Sequence, residues 1–182
     1  MKGGIFFIAI VPEEPVQEEI TLFKKEAATR FNSMHALRSP PHITLSPPFK
    51  WPGSQVLELE DALIQFASGE AAFELKLKNF DCFRPRVIFI DVEKNDQLSR
   101  LQQALAEHLA GAIGLESRDK RPYHPHMTIA FKDLKRSVFP QAWEYFRQQK
   151  YERQFPVEDI VLLRHNGKLW EVKRRYELGA GC

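Results

Sequence analysis

Residues 41–49 read PHITLSPPF and residues 125–131 read PHMTIAF. Both have the form Pro-His-(apolar)-Thr-(apolar), and the fold has to accommodate the pair. In a strand, residues i and i+2 point to the same face, so His42 stands beside Thr44 and His126 beside Thr128. Ile43 and Leu45 then face the opposite way, into a core, and Met127 and Ile129 do the same. Each motif presents an imidazole and a hydroxyl from a packed strand, a rigid support for reacting groups.

Working outward, proline pairs bracket the first motif at Pro40-Pro41 and Pro47-Pro48. Proline has no ladder donor, so these pairs are expected to mark where strand pairing begins and ends. Upstream, IFFIAIV (Ile5 to Val11) is a continuous apolar run fitting a strand buried on both faces. Glu13 to Asn32 carries Val16, Ile20, Phe23, Ala27 and Phe31 at helical spacing, with acidic residues crowding its first turns, where the helix dipole favours negative charge. Gln55 to Ala67 predicts a second helix, with Leu59, Leu63 and Phe66 on one side.

The second half repeats the theme. FELKLKNF alternates as a strand with one wet face, and RVIFIDV is a buried strand. Gln97 to Ala112 is an amphipathic helix carrying Leu98, Leu101, Leu105 and Leu109, with Gly114 just beyond it. HPHMTIAF follows as a short strand, then a helix over Val138 to Lys150. DIVLLRHNGKLWEVKRRYEL predicts a closing β-hairpin, its Asn166-Gly167 pair suited to the positive φ angles of a type I′ turn. Strand, helix and His-x-Thr strand thus occur twice in the same order. This weak duplication predicts two related α+β lobes facing one another. No composition break separates them, so residues 1–182 are read as a single two-lobed domain.

The residue types in the motifs suit one kind of chemistry. Opening a cyclic phosphodiester requires a group to take a proton from the attacking water and another to protonate the departing ribose oxygen. Donors must also hold the phosphoryl oxygens. Histidine serves either proton task because its pKa lies near neutrality. Two threonine hydroxyls supply hydrogen bonds to the non-bridging oxygens. A single His-x-Thr carries almost no signal; two Pro-flanked copies in matching order carry a specific one.

At these residues the chain resembles the 2H phosphoesterase superfamily, and within it the 2′-5′ RNA ligase and cyclic phosphodiesterase branch. The resemblance runs from the opening apolar strand through PHITL, RPRVIFIDV and YHPHMTIAF to the closing hairpin. It implies an α+β fold of two pseudo-symmetric lobes, with antiparallel sheets around a central cleft and helices outside. It implies action on 2′,3′-cyclic phosphates or 2′-5′ linkages, without a cofactor or metal. His42 and His126 match the catalytic histidines, and Thr44 and Thr128 the phosphate-binding hydroxyls. Reversible joining of RNA ends through a 2′-5′ linkage uses the same two proton transfers, so the motifs do not separate ligase from hydrolase. A non-catalytic module binding RNA ends or nucleotides would retain the same cleft.

Flanking residues add candidates for substrate contact: Phe49 and Tyr123 as stacking platforms, His124 at the cleft mouth, and Arg121 and Lys132 as phosphate-attracting cations. Arg118, Lys120, Arg121, Lys132, Lys135 and Arg136 lie on either side of the second motif; alone, they read equally as a solvated surface. Lys173-Arg174-Arg175 should be scattered between strand faces by alternation. His124-Pro125-His126 can be read as a metal-binding pair, but no further ligands accompany it in sequence. His108 reads as a satisfied, partly buried residue, His165 as exposed, and His35 as a loop residue before the first motif.

Composition bounds the rest. The chain has 182 residues with a formal net charge of +2, which permits a polyanionic partner without demanding one. The expected partners are RNA ends or small cyclic nucleotide phosphates, with no obligate protein partner evident. Cys82 and Cys182 are too few for a zinc ligand set or a secreted disulfide scaffold, which points to a reducing cytoplasm. The Ile5–Val11 run lacks a signal cleavage site after it, and no stretch approaches the ~20 apolar residues of a membrane span.

Overall fold

The computed structural model describes residues 3–117, 119 and 121–179. In chain order the elements are β1 (Gly4–Ile10), α1 (Val16–Phe31), β2 (Ile43–Trp51), α2 (Val56–Ser68), β3 (Phe73–Phe83), β4 (Val87–Val92), α3 (Asp96–Ile113), β5 (His126–Ala130), α4 (Phe139–Arg147), β6 (Glu152–Val157), β7 (Asp159–His165) and β8 (Trp170–Glu177). Short 3₁₀ turns precede β2 at His35–Arg38 and α2 at Gly53–Gln55.

The strands form two four-stranded antiparallel sheets, ordered β2-β1-β7-β8 and β5-β4-β3-β6. The two orders correspond position by position. Each His-x-Thr strand lies at a sheet edge, and its neighbour is a largely apolar central strand, β1 or β4. The fold is therefore α+β with two matched lobes, as the duplicated pattern implied. The lobes do not follow the halves of the chain, because the closing hairpin joins the first sheet.

The strands beside the two motifs, β1 and β4, are largely apolar because both of their faces are covered. In β1, Phe6, Ile8 and Ile10 face a large core shared with the helices, while Phe7 and Ala9 face the other way with Val11, Val161 and Leu163. In β4, Ile88 and Ile90 join the large core, and Phe89 between them is equally buried. The helices cross over. α1 follows β1 of the first sheet yet packs on β5 of the second, setting Phe23 edge-on against Phe80 and Tyr151 at 5.0 and 5.3 Å. α3 follows β4 of the second sheet yet contacts β2 of the first. The large core consequently runs through both lobes, and each fully buried Leu, Ile or Phe in it contributes about 1.5–3 kcal/mol.

Several local expectations are corrected. β2 does not stop at Pro47-Pro48 but runs through them to Trp51. It can do so because it is an edge strand and its register with β1 shifts between Phe6 and Ala9, where the missing donors cost no ladder bond. The first helix begins at Val16 rather than Glu13, with Glu14 Oε2 accepting the Glu18 N–H at 2.9 Å. β3 continues past Phe80 to Phe83 across an irregularity at Asn79, whose φ is +58°. β6 was not expected; its ERQFPV sequence lacks an apolar run, and its Pro156 is tolerated at the opposite sheet edge.

The hairpin is present, but its turn is not type I′. His165 pairs with Trp170, leaving a four-residue loop in which only Gly167 has a positive φ, of +103°. Asn166 instead accepts the Lys168 and Leu169 N–H groups on its side-chain oxygen. The basic triplet is only partly scattered. A register shift between Leu162 and Leu163 leaves Lys173 as an extra residue, so Lys173 and Arg174 both reach the nearly buried Glu60 of α2, while Arg175 pairs with Asp159 and Glu13.

Candidate active site

The two His-x-Thr strands approach one another across the lobes at the edges of their sheets. Ile43, Leu45, Met127 and Ile129 are all buried, at 0, 2, 0 and 0 % exposure, so strand alternation sends the intervening residues to the other face. Thr44 and Thr128 are half-buried, and neither hydroxyl has a protein hydrogen-bond partner among the described residues.

Both histidines are held in the same way. The Nδ1 of His42 lies 2.8 Å from the Pro40 carbonyl, and the Nδ1 of His126 lies 2.7 Å from the His124 carbonyl. A carbonyl only accepts, so in each ring Nδ1 carries the proton and Nε2 is left free to exchange one. Each ring also rests on a phenylalanine from its central strand. His42 is 4.8 Å from Phe7 between ring centres, and His126 is 5.0 Å from Phe89. A second aromatic backs each support: Trp170 lies edge-on to Phe7 at 4.6 Å, and Phe83 lies 4.4 Å from Phe89.

The electrostatic surroundings differ. Burial lowers the His42 pKa to about 4, with the Lys24 charge adding to the effect. Burial also lowers the His126 pKa, as do the charges of His124 and Arg121, but the Asp91 carboxylate opposes them. Asp91 is the direct cross-strand partner of His126 in β4, and burial pushes its own carboxyl pKa upward.

Lys24 and Asp91 escaped the sequence reading, although both left a signal. Lys24 occupies a core position in the α1 stripe Val16, Ile20, Ala27, Phe31 and is 2 % exposed. Its ammonium donates to the carbonyls of Ala36 and Ser39 at 3.1 and 3.0 Å, tying down the loop that enters β2. Burial lowers its pKa to about 7. Asp91 interrupts the apolar run VIFIDV, an unusual place for a carboxylate.

The flanking candidates are divided. Tyr123 packs against the core and donates its hydroxyl to the Thr44 carbonyl at 3.1 Å, linking the loop before β5 to β2. Its ring is therefore engaged within the protein. Phe49 packs with Phe6 and Trp51. Phe6 lies on the opposite face of β1 from Phe7, so Phe49 lines a groove beside α3 rather than the His42 face. His124 lies 6.2 Å from His126 between ring centres and 3.8 Å from Asp91, on the same side as His126, as the i, i+2 spacing of the two residues favours.

Arg121 is exposed and paired with Asp119 through two hydrogen bonds at 2.9 and 2.6 Å. Lys132 has a φ of +52° and lies over the Phe131 ring; Lys135 and Arg136 are exposed. Arg118 and Lys120 lie outside the described residues. His35 stands edge-on to Phe131, and the backbone there is held by Asp133, which accepts from the Met34 and His35 N–H groups and from Ser33. His108 is satisfied by the Ala62 carbonyl at 2.9 Å. His165 is half-buried against Trp170 rather than exposed, because the hairpin loop folds that ring over it. Among the described residues, no group of three or more His, Cys, Asp or Glu is arranged to hold a metal ion, and no helix is long and apolar enough to cross a membrane.

Known proteins share this architecture. A family model described as the 2′-5′ RNA ligase superfamily matches residues 12–169. A Geobacillus protein carrying a provisional phosphoesterase name is 29 % identical over 183 residues, covering 98 % of this chain and 97 % of its own. The protein of Bacillus subtilis named RNA 2′,3′-cyclic phosphodiesterase is 36 % identical over 91 residues, 48 % of this chain and 49 % of its own. The crystal structure of Escherichia coli LigT in its apo form has a TM-score of 0.68 at 19 % identity, covering 98 % of this chain and 99 % of that one. A crystal structure from Thermus thermophilus gives the same score and identity over 96 and 98 %.

Proposed function

The chain belongs to the 2′-5′ RNA ligase superfamily, and on that footing we propose that it is a cytoplasmic, metal-independent phosphodiesterase that opens 2′,3′-cyclic phosphate RNA ends or related cyclic nucleotide phosphates. The observation that carries this reading is the matched tautomer control. Two imidazoles from opposing lobes each commit Nδ1 to a carbonyl two residues back and keep Nε2 free. The partial likeness to a protein named RNA 2′,3′-cyclic phosphodiesterase supports the same substrate class.

In this mechanism, water attacks the phosphorus opposite the departing ribose oxygen. His42 Nε2 takes the water proton as a general base, a role suited to an imidazole held neutral by burial and Lys24. His126 gives a proton to the departing 2′ or 3′ oxygen, a role favoured by the neighbouring Asp91 carboxylate. The substrate's own negative charge assists that protonation, since a nearby anion raises an imidazole's pKa. The Thr44 and Thr128 hydroxyls donate to the non-bridging oxygens, stabilising charge there as the bond breaks. The product is a phosphomonoester. If the 5′-hydroxyl of a second RNA end replaces water in the same step, the P–O5′ bond forms as the P–O3′ bond breaks. The 3′ oxygen takes the proton, so the same groups join RNA ends through a 2′-5′ linkage.

The test is turnover of a 2′,3′-cyclic-phosphate-ended oligonucleotide in EDTA, with RNA carrying a 5′-hydroxyl added in a parallel reaction. A monoester product in EDTA is expected. A joined product as the main outcome transfers the assignment to ligation. Saturable binding of the cyclic end without turnover makes the protein a binding module.

A further inference from the structure

A pocket of about 210 Å³ lies beside the first motif, lined by residues that include Gln17, Thr21, Lys24, Arg38, Pro40 and Trp170. It is smaller than the ~300–1,000 Å³ typical of whole small-molecule sites, so it suits a single polar group. Among the described residues, two cations line it and no carboxylate does. Lys24 spends two of its three N–H donors on backbone carbonyls and, like Arg38, has no acidic partner among the described residues. A desolvated ammonium without a counter-ion is costly to maintain. Thr21 and Gln17 also line it, but the Thr21 hydroxyl donates to the Gln17 carbonyl and the Gln17 amide to the Pro12 carbonyl, which leaves the two cations as the groups able to hold an anion.

The pocket shares walls with the reacting site. Pro40 lines it while its carbonyl holds His42, and Trp170 lines it while packing on the Phe7 that supports His42. We propose that this pocket binds a phosphate group other than the one undergoing reaction, through Lys24 and Arg38. Where that phosphate belongs to the substrate, the inference rests on the cyclic phosphodiesterase reading. The favoured substrate is then a nucleotide carrying a 5′-phosphate as well as the 2′,3′-cyclic one. Where it is free phosphate, the pocket is an independent anion site beside the catalytic histidine.

Two measurements on the full chain separate these cases. The first is the ratio of kcat/KM for a nucleoside 2′,3′-cyclic phosphate with and without a 5′-phosphate. Wild type should favour the phosphorylated substrate by ~10-fold, a modest share of what charge-assisted hydrogen bonds supply. Arg38→Gln should bring the ratio to about one. The second is titration with inorganic phosphate, following the Trp170 indole N–H resonance; a shift lost in Arg38→Gln is expected. Lys24→Met gives an independent check in both measurements if it folds.

An Arg38-dependent preference assigns the phosphate to the substrate. An Arg38-dependent shift with a ratio of one assigns it to a free anion. If neither substrate turns over, the same shift still supports the pocket while the cyclic phosphodiesterase reading fails. A ratio of one with no shift, or effects that persist in Arg38→Gln, overturns the proposal.

Discussion

The two halves of the candidate site share a backbone plan and differ in their charges. Each half offers an edge strand, a His-x-Thr pair, a carbonyl two residues back and a phenylalanine beneath the ring. Around His42, however, the added charge is the Lys24 ammonium; beside His126 it is the Asp91 carboxylate. Matched geometry makes either histidine capable of handling a proton at phosphorus. The unmatched neighbours favour a neutral first imidazole and a more readily protonated second one, which is what separates a base from an acid.

The largest test of that difference removes one imidazole at a time. Both His42→Ala and His126→Ala should lower kcat on a cyclic phosphate by about 10²–10⁴-fold, the usual worth of a positioned acid or base. A diester with a 4-nitrophenolate leaving group breaks the symmetry, because that group departs without a proton. On it His126→Ala should recover nearly wild-type rates, while His42→Ala remains as impaired as before. Recovery by His42→Ala instead would exchange the two roles.

The threonines should behave alike where the histidines do not. Thr44→Val and Thr128→Val each delete a donor to the phosphoryl oxygens without a large change in volume. Losses of about 10²-fold are expected for both, with either leaving group, at the lower end for removal of one transition-state donor. A loss confined to one of them would mean that the phosphate sits asymmetrically between the strands.

The shared part of the comparison was legible in the sequence, and the differing part was not. Period-two alternation through PHITL and PHMTI fixes which side chains face the core, and the buried Ile43, Leu45, Met127 and Ile129 follow from it. The lobes followed from repeated element order. Alternation failed where the strands bulge: it stopped β2 at its prolines and mislaid Lys173. It also has no access to contacts made between elements distant in sequence. Lys24 reaches the loop before β2 from α1, Tyr123 reaches Thr44 across 79 positions, and Asp91 meets His126 only once β4 and β5 pair. The Lys24 and Asp91 contacts distinguish one half of the site from the other, and the Tyr123 bond ties the two halves together.

Changing the charged neighbours should sharpen the comparison by narrowing one pH profile from both sides. For kcat/KM, the acid limb reports the base and the alkaline limb the acid. With His42 as base, the acid limb lies at about 4; with His126 as acid, the alkaline limb lies below the ordinary histidine value. Lys24→Met removes a charge that lowers the His42 pKa, so the acid limb should move to higher pH. Asp91→Asn removes a charge that raises the His126 pKa, so the alkaline limb should move to lower pH. Titration of the two imidazole C–H resonances checks each shift directly. Movement of the same limb by both substitutions would mean that one histidine feels both charges, contrary to the division of roles.

The smallest expected effect concerns the single hydrogen bond from Tyr123 to the Thr44 carbonyl. That bond crosses from the loop before β5 to β2, so it ties the position of one threonine to the other lobe. Tyr123→Phe keeps the packed ring and loses only the hydroxyl, at a cost of about 0.5–1.5 kcal/mol in denaturant unfolding. If the Thr44 hydroxyl holds the phosphoryl group as proposed, releasing its backbone alone should lower kcat by a few-fold while KM for a cyclic phosphate changes little. A purely structural bond would reduce stability and leave kcat intact. A base-stacking role for the ring would leave Tyr123→Phe unimpaired in both, since phenylalanine stacks as well as tyrosine. The ratio of kcat loss to stability loss therefore decides whether Tyr123 carries positional information between the lobes.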